Sequence, residues 1–290
     1  MKQIILKDII MGDGTPFVLI AGPCVIEEEK ITRDIAEYLK KLTASLQIPF
    51  IFKASYDKAN RTSIHSFRGP GPDLGLQVLA NIKKDFDVCI LSDVHRFEEI
   101  EFASEILDVV QVPAFLCRQT DFIVEVARHA NAINIKKGQF LAPWDVQNIL
   151  MKTSSAGNEK VMITERGTTF GYNNLVADFR SIPIVRDMGC PVVFDATHSV
   201  QLPGGKGLMS GGQRDMVPYL SRAAMAVGID GLFLEVHPEP ETARCDGPNS
   251  IYLDSLPHLL RTLLKIDRIV KKEFKMKGRQ SEYKPDKIII

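Results

Sequence analysis

Cationic side chains follow several short apolar runs of this sequence, at the points where those runs give way to polar residues. Arg presents a planar fork of N–H donors and Lys a compact point charge, and both suit a phosphate group. The sequence has 36 Lys+Arg against 36 Asp+Glu, so its net charge is zero and phosphate binding needs local clustering. We therefore predict a phosphate-binding arc made of Lys53, Lys58, Arg61, Arg118, Lys136 and Arg166.

A second group of side chains could hold a metal ion. Cys24, His198 and Glu235 follow the first, seventh and eighth apolar runs, and Asp246 lies in the loop beyond the eighth. Thiolate, imidazole and carboxylate ligands suit Zn²⁺ or Fe²⁺ and are poor for Mg²⁺. Cys245 is a rival ligand. From spacing alone, a buried thiol, a core histidine and solvated carboxylates explain these residues equally well.

The apolar runs that precede these residues have the length and composition of buried strands. They span 17–21, 50–53, 88–93, 109–112, 132–136, 161–164, 192–195 and 231–235. The segments between and after them have helical spacing, at 28–46, 74–84, 97–106, 121–129, 144–151, 181–188, 215–227 and 256–270. This alternation predicts an α/β fold, a (β/α)₈ barrel, with an open doubly wound sheet as the alternative. In a barrel, the two groups of side chains meet where the strands end.

The composition is that of a globular protein with a full core, at 45% apolar and 25% charged residues. We predict one domain over 1–290, with a hairpin in 1–15 around a turn at residues 11–14, and an irregular Lys-rich tail over 271–290. Zero net charge and the lack of a long apolar run exclude a nucleic-acid partner and a membrane span. Five scattered cysteines and a start unlike a signal peptide predict a reduced, cytoplasmic protein.

Several of these segments together resemble the 3-deoxy-D-manno-octulosonate 8-phosphate synthase family. They are 52–63 (FKASYDKANRTS), 118–120, 165–167, 195–198, 235–238 and 245–248. The likeness extends from about residue 17 to 270. The related synthase that uses erythrose 4-phosphate typically has Lys-Pro-Arg-Thr where this chain has Lys-Ala-Asn-Arg, at 58–61. The resemblance implies a (β/α)₈ barrel that forms a homotetramer.

The resemblance also implies an aldol-type condensation of phosphoenolpyruvate with D-arabinose 5-phosphate, with water consumed and phosphate released. The residues implied to bind phosphoenolpyruvate are Lys58, Lys136, Arg118 and Arg166. Those implied for the sugar phosphate are Asn60, Arg61 and Thr62, with Arg61 at its phosphate. The same cavity would be lined by Lys53, Ser55, Asp93, Gln111, Ala114 and Gln201. The catalytic residues implied are Lys58, Asn60, Asp93, Lys136 and His198.

This family has metal-dependent and metal-independent branches, and the metal-independent branch has Asn in place of the first-strand cysteine. Cys24 therefore indicates the metal-dependent branch, with His198, Glu235 and Asp246 completing the ligands of Zn²⁺ or Fe²⁺, or else Mn²⁺ or Co²⁺. Such a metal would activate a water or orient the sugar aldehyde. Two rival functions stay open at this point, the erythrose 4-phosphate synthase and a non-catalytic barrel that binds sugar phosphates.

Overall fold

The computed structural model describes residues 2–204 and 211–277, with the side chains beyond 274 excepted. Its centre is a set of eight parallel strands whose residues are all buried, as expected for strands covered on both faces. In chain order they are β1 (Val18–Gly22), β2 (Phe50–Lys53), β3 (Cys89–Asp93), β4 (Val109–Val112), β5 (Ile133–Lys136), β6 (Val161–Glu165), β7 (Val192–Asp195) and β8 (Gly231–His237).

Each strand pairs with the next one along the chain, and the pairing of the last strand with the first closes the ring. β8 pairs with β1 from Gly231 opposite Val18 to Glu235 opposite Gly22. It also pairs with β7, where Val193 is opposite Gly231. The sheet is therefore a closed barrel, which confirms the predicted fold; the open doubly wound sheet was wrong. Closure brings the ends of β1, β7 and β8 together, as the predicted ligand group requires.

In the part of the chain that the structure describes, eight α-helices connect and cover the strands. They are α1 (Glu29–Leu46), α2 (Pro72–Phe86), α3 (Phe97–Ile106), α4 (Thr120–His129), α5 (Val146–Ser155), α6 (Ser181–Asp187), α7 (Val217–Val227) and α8 (Leu256–Lys277). Their amphipathic faces supply most of the core around the barrel, which explains why helical spacing located them. Within the described residues, no helix is long and apolar enough to cross a bilayer.

The last helix is longer than the sequence indicated. α8 continues to Lys277, so the predicted tail from 271 begins inside a helix, and 278–290 lie outside the described residues. Buried Lys271 donates to the Ile229 carbonyl over 2.8 Å and lies 3.4 Å from the Asp230 carboxylate. A lysine that sequence composition assigns to a solvated tail is thus an anchor that ties the last turns to the barrel.

An antiparallel hairpin precedes the barrel, as predicted, but its turn is elsewhere. Ile4–Leu6 pairs with Ile9–Met11, so the chain turns at residues 7–8 and not at 11–14. Lys7 adopts the left-handed conformation there, with φ 50°. The buried side chains of the hairpin pack with the apolar residues of the barrel interior, including Ile20 and Phe233. The hairpin therefore closes the amino-terminal end of the barrel.

Side chains inside the barrel change from apolar to polar along most of the strands. Because alternate residues face the same side, Ile51 is followed inside by Lys53, Leu91 by Asp93, Val193 by Asp195, and Phe233 by Glu235. The part of the interior near the amino-terminal ends of the strands is a packed apolar core, and the part near their carboxyl-terminal ends carries charges. Those charges form the floor of a cavity at the carboxyl-terminal end.

Candidate active site

The cavity lies at the carboxyl-terminal end of the barrel and collects most of the predicted site residues. Those lining it are Lys53, Lys58, Asn60, Arg61, Thr62, Asp93, Gln111, Ala114, Lys136, Arg166, His198, Gln201 and Asp246. They come from seven different strand ends or the loops that follow them, so no local segment could form this cavity alone. Closure of the barrel is what turns separate motifs into one site.

Four other predicted residues do not line the cavity. Cys24 and Glu235 lie beneath it, at 4% and 0% exposure. Ser55 is also buried; it accepts a hydrogen bond from Lys53 Nζ (2.9 Å) and donates to Asp93 Oδ1 (2.5 Å). Arg118 is exposed after β4, and its carbonyl accepts a hydrogen bond from Lys152. The substrate role of Arg118 therefore stays a prediction.

Two lysines share one carboxylate in the floor. Lys53 Nζ lies 3.2 Å from Glu235 Oε1 and donates to the Cys24 carbonyl over 3.1 Å. Lys58 Nζ lies 3.7 Å from the same Glu235 oxygen. Burial acts against the charged form of Lys58. Electrostatic attraction by the neighbouring Cys24 and Glu235 outweighs burial and raises the pKa of Lys58 well above the usual value. Lys58 therefore presents a permanent positive charge to the cavity.

Lys136 and Arg166 stand on the opposite side of the cavity. Lys136 pairs with Asp195 and lies 3.3 Å above the Phe233 ring. Burial lowers the pKa of Lys136 to about 8, with Asp195 opposing that shift. Arg166 donates through Nη2 to the Gln201 side chain (3.1 Å), and its buried Nη1 has no partner among the described residues. An unused guanidinium donor in a cavity indicates that an anion belongs there.

The predicted metal ligands form two donor triads that share Asp246. In one, His198 Nε2 lies 3.5 Å from Glu235 Oε2 and 3.7 Å from Asp246 Oδ2. In the other, the donor atoms of Cys24, Cys245 and Asp246 lie within 4.8 Å of one another. Cys24 Sγ is 3.7 Å from Asp246 Oδ2. Asp246 is the donor that the two triads have in common, and together they offer soft and hard ligands.

Three features of this arrangement fit a divalent metal. The buried Oε2 of Glu235 has no hydrogen-bond partner among the described residues, although its Oε1 faces two lysines. The Asp195 carboxylate lies 2.6 Å from His198 Nδ1, which orients the ring with Nε2 toward the site. Such a carboxylate–histidine pair is usual behind a metal-bound imidazole. The donor set of thiol, imidazole and two carboxylates also matches Zn²⁺ or Fe²⁺.

The electrostatics of the ligands depend on burial. Burial, reinforced by the neighbouring Cys245 and Glu235, raises the pKa of the Cys24 thiol well above its usual value. Burial opposes charge on His198 as well, but the Asp195 and Glu235 carboxylates outweigh it and raise the pKa of the imidazole. Both groups must lose a proton to bind a metal, so binding would release protons.

Sequence analysis did not assign a role to several residues of the site. Asp195 is fully buried and contacts Lys136, His198 and Thr197, so it organises both halves of the cavity. His95 and Gln139 line the cavity too. The signal for Asp195 was available, because it is the last residue of an apolar run. Gln139 lies in a loop, where periodicity provides no signal.

Comparison with known proteins agrees with this architecture. Residues 2–272 match the model of the DAHP synthetase I family. A 2-dehydro-3-deoxyphosphooctonate aldolase of Geobacter metallireducens is 59% identical over 270 residues, which cover 93% of this chain and 99% of the relative. One from Desulfosudis oleivorans is 61% identical over 264 residues, covering 91% and 95%. With a barrel, a cation-lined cavity and near full-length similarity, this chain belongs to the DAHP synthetase I family, among relatives named 2-dehydro-3-deoxyphosphooctonate aldolase.

Proposed function

We propose that this protein is a 3-deoxy-D-manno-octulosonate 8-phosphate synthase of lipopolysaccharide sugar biosynthesis. It condenses phosphoenolpyruvate with D-arabinose 5-phosphate and water, and releases 3-deoxy-D-manno-octulosonate 8-phosphate and inorganic phosphate. The observation that carries the proposal is the set of cations converging from β2, β5 and β6 on one cavity of a neutral protein. The curated relatives at 57–61% identity bear this enzyme's alternative name.

The cavity can hold two anions side by side. Lys136 and Arg166 form one cationic wall, suited to phosphoenolpyruvate, with the free Arg166 donor available for its phosphate or carboxylate. Asn60, Arg61 and Thr62 form the other wall, where Arg61 would meet the phosphate of the sugar. Two phosphorylated substrates repel each other in water. Opposed cations offset that repulsion and hold the enol carbon beside the aldehyde, which is the main benefit of proximity.

Groups in the floor are placed for proton and charge handling. The reaction joins C3 of the enol to the aldehyde carbon and adds water at C2, so charge develops on the aldehyde oxygen and at C2. Lys53, Ser55 and Asp93 form a continuous hydrogen-bonded chain beneath the substrates. Lys58 keeps its positive charge at the cavity surface, where it stabilises developing negative charge.

The same proposal includes a divalent metal bound by Cys24, His198, Glu235 and Asp246, as Zn²⁺ or Fe²⁺, with Mn²⁺ and Co²⁺ as alternatives. When bound, it would act as a Lewis acid on a water or on the sugar aldehyde. The donor triads around Asp246 and the unpartnered Glu235 oxygen support this assignment. Asp195 holds the His198 ring in the orientation that metal binding needs.

The protein would act in the cytoplasm as a homotetramer. Its five cysteines are all free and buried, which suits a reducing compartment. Loops that follow β4 and β5 expose the large apolar side chains of Phe115, Phe140 and Trp144. Exposed apolar side chains of this size support contact between subunits, and sedimentation velocity would measure the assembly.

A substrate-pair assay tests the proposal. Purified protein is given phosphoenolpyruvate with either D-arabinose 5-phosphate or D-erythrose 4-phosphate, and released phosphate is measured. We expect turnover with the pentose phosphate and much weaker turnover with the tetrose phosphate. Preference for the tetrose phosphate would identify the rival synthase. The absence of phosphate release with both would favour a sugar-phosphate-binding barrel.

A further inference from the structure

A buried ion pair lies behind the cationic wall of the cavity, on the outer side of the barrel. Lys137 is 1% exposed, and its Nζ lies 3.4 Å from Glu165 Oε2, itself on a residue 3% exposed. Lys137 Nζ also donates to the Leu141 carbonyl over 3.1 Å and lies 3.4 Å from Thr168 Oγ1. Nothing in the reaction described above uses this pair.

The pair ties together the two loops that follow β5 and β6. Lys137 is bonded to a carbonyl of its own loop and to a hydroxyl of the next one. Glu165 Oε1 accepts a hydrogen bond from the Gly167 amide over 2.8 Å, where Gly167 has φ 91°. Between the same loops, the Thr169 amide donates to the Gln139 carbonyl over 3.0 Å. The Lys137–Glu165 pair is thus the charged centre of one hydrogen-bonded unit.

Each member of the pair is next in sequence to a residue of the cavity. Lys136 precedes Lys137, and Arg166 follows Glu165. Side chains alternate along an extended chain, so fixing the outer side chain of each strand end fixes the direction of its inner neighbour. A buried ion pair adds little net stability over apolar residues of similar volume, because desolvation offsets the attraction. Its effect here is therefore on geometry.

We propose that Lys137 and Glu165 are a positioning pair for the phosphoenolpyruvate half of the site, holding Lys136, Arg166 and Gln139 in their binding geometry. This inference rests on the proposed function for the identity of the ligand. The described contacts of the pair are with the loops after β5 and β6 and do not reach Asn60, Arg61 or Thr62 on the loop after β2. Loss of the pair should therefore weaken binding of phosphoenolpyruvate and spare the sugar phosphate.

The test compares Lys137→Met with Lys271→Met in the full chain. Both replace a buried lysine that pairs with a buried carboxylate, but Lys271 lies on α8 against Asp230, at the start of β8 and away from the cavity. Calorimetry with phosphoenolpyruvate alone should give a dissociation constant about 10- to 100-fold above wild type for Lys137→Met, the penalty expected of a small misplacement. Lys271→Met should bind as wild type does.

A double variant covers the case in which Lys137→Met does not fold. Lys137→Met with Glu165→Gln removes both charges and leaves no uncompensated one, so it should fold. We expect its KM for phosphoenolpyruvate to rise at least about tenfold, with the KM for arabinose 5-phosphate within about twofold of wild type. A merely structural pair would not separate the two substrates.

Two outcomes overturn the inference. One is wild-type affinity for phosphoenolpyruvate in the folded single or double variant. The other is an equal rise in KM for both substrates, which would indicate general loosening. Arg166→Ala separates this failure from failure of the proposed function. If that variant loses affinity and the Lys137 variants do not, only the positioning role is wrong. If Arg166→Ala binds phosphoenolpyruvate normally, the ligand assignment is wrong and the inference falls with it.

Discussion

At the scale of single residues, the cavity combines satisfied charges with an unsatisfied guanidinium donor. Lys53 and Lys58 face the Glu235 carboxylate, and Lys136 pairs with Asp195. Within the described part of the chain, Arg166 Nη1 is buried without a partner. Charged groups that already have partners keep their positions before the substrate binds, whereas an unused buried donor is free to bind an anion. Arg166 is therefore the residue on which substrate binding should depend most.

Replacing Arg166 with alanine tests this dependence. Removing one partner of a buried charge pair costs about 2–5 kcal/mol. At about 1.4 kcal/mol per tenfold, kcat/KM should fall roughly 30- to several thousand-fold. The fold should survive, because Arg166 bonds one described side chain, Gln201. The control is Arg180→Ala, which removes an exposed arginine paired with Asp178. Near-normal kcat/KM in a folded Arg166→Ala protein would contradict the anion-binding role.

Cys24 provides the test of the metal. If it is a ligand, purified protein should carry up to about one Zn²⁺ or Fe²⁺ per chain, measured by elemental analysis. Chelation should abolish activity and added divalent metal should restore it. Cys24→Ala should lose both metal and activity, because the thiolate is the softest donor present. Cys24→Asn should lose metal yet retain some metal-independent turnover, as members of the metal-independent branch have Asn there.

A second buried cysteine serves as the control for Cys24. Cys89 lies inside the barrel on β3, among apolar side chains. Cys89→Ala should lower the unfolding temperature and leave metal content unchanged. If Cys24→Ala behaves in the same way, Cys24 is a packing residue. Full activity of the native protein after complete metal removal would exclude an essential metal and leave the synthase proposal standing.

At the scale of elements, the strands position the site by alternation and the hairpin supports them from below. Lys53, Asp93, Asp195 and Glu235 each stand two residues beyond an apolar group of the interior core. That core is completed at its amino-terminal end by the hairpin. Ile4 is 1% exposed and packs there, whereas its neighbour Ile5 is 55% exposed. The two residues are neighbours of the same type on one strand, and they differ in burial.

This neighbouring pair measures what the hairpin contributes. Ile4→Ala removes buried methyl and methylene groups and should lower the free energy of unfolding by about 2–5 kcal/mol. Ile5→Ala should change it by no more than about 0.5 kcal/mol, as is usual at exposed positions. Denaturant unfolding measures both. Equal effects of the two substitutions would show that the hairpin does not close the barrel in solution.

At the scale of the whole molecule, zero net charge coexists with a strongly charged cavity. Long-range attraction of phosphorylated substrates is therefore weak, and selectivity depends on groups that meet the ligand directly. The state of those groups should be visible in the pH dependence. Burial lowers the pKa of Lys136 to about 8, so its charge is lost within the accessible range. Lys58, whose pKa is raised, keeps its charge there.

The pH profile of kcat/KM for phosphoenolpyruvate should consequently fall on the basic side, near pH 8. The direction of the change follows from the protonation of Lys136. Below its pKa, Lys136 is an ammonium that attracts phosphate, and above its pKa it is a neutral amine that does not. This profile reports the free enzyme. Lys136→Arg retains the charge at high pH, so any activity it keeps should lack this basic limb. A wild-type profile that stays level from pH 7 to about 9.5 would disprove the assignment.

The barrel could be predicted from the amino-acid sequence, because each strand and each helix has a recognisable local pattern of apolar and polar residues. Eight apolar runs alternating with amphipathic segments could be located to within a few residues. The spacing of apolar residues along each segment indicates which of its side chains are buried, and that spacing differs between strands and helices. The ends of those runs also indicated most of the cavity, including Lys53, Asp93 and Lys136. The hairpin was predicted, but its turn was placed at the wrong residues. Gly12 and Gly14 are typical turn residues and suggested a turn at 11–14. The actual turn includes Lys7, and a lysine gives no indication in the sequence that its backbone is left-handed.

The pairing of the charged side chains could not be predicted from the sequence and depends on the three-dimensional arrangement. Lys136 and Lys137 are adjacent and chemically identical, and strand alternation required one of them to face outward without saying which. The register of β5 against its neighbours placed Lys136 over Phe233 and Lys137 against Glu165. Likewise, Asp195 reached Lys136 and His198, and Arg118 stayed outside the cavity. Pairings of this kind join residues far apart in sequence, so they are set by barrel closure and register, and no local pattern records them.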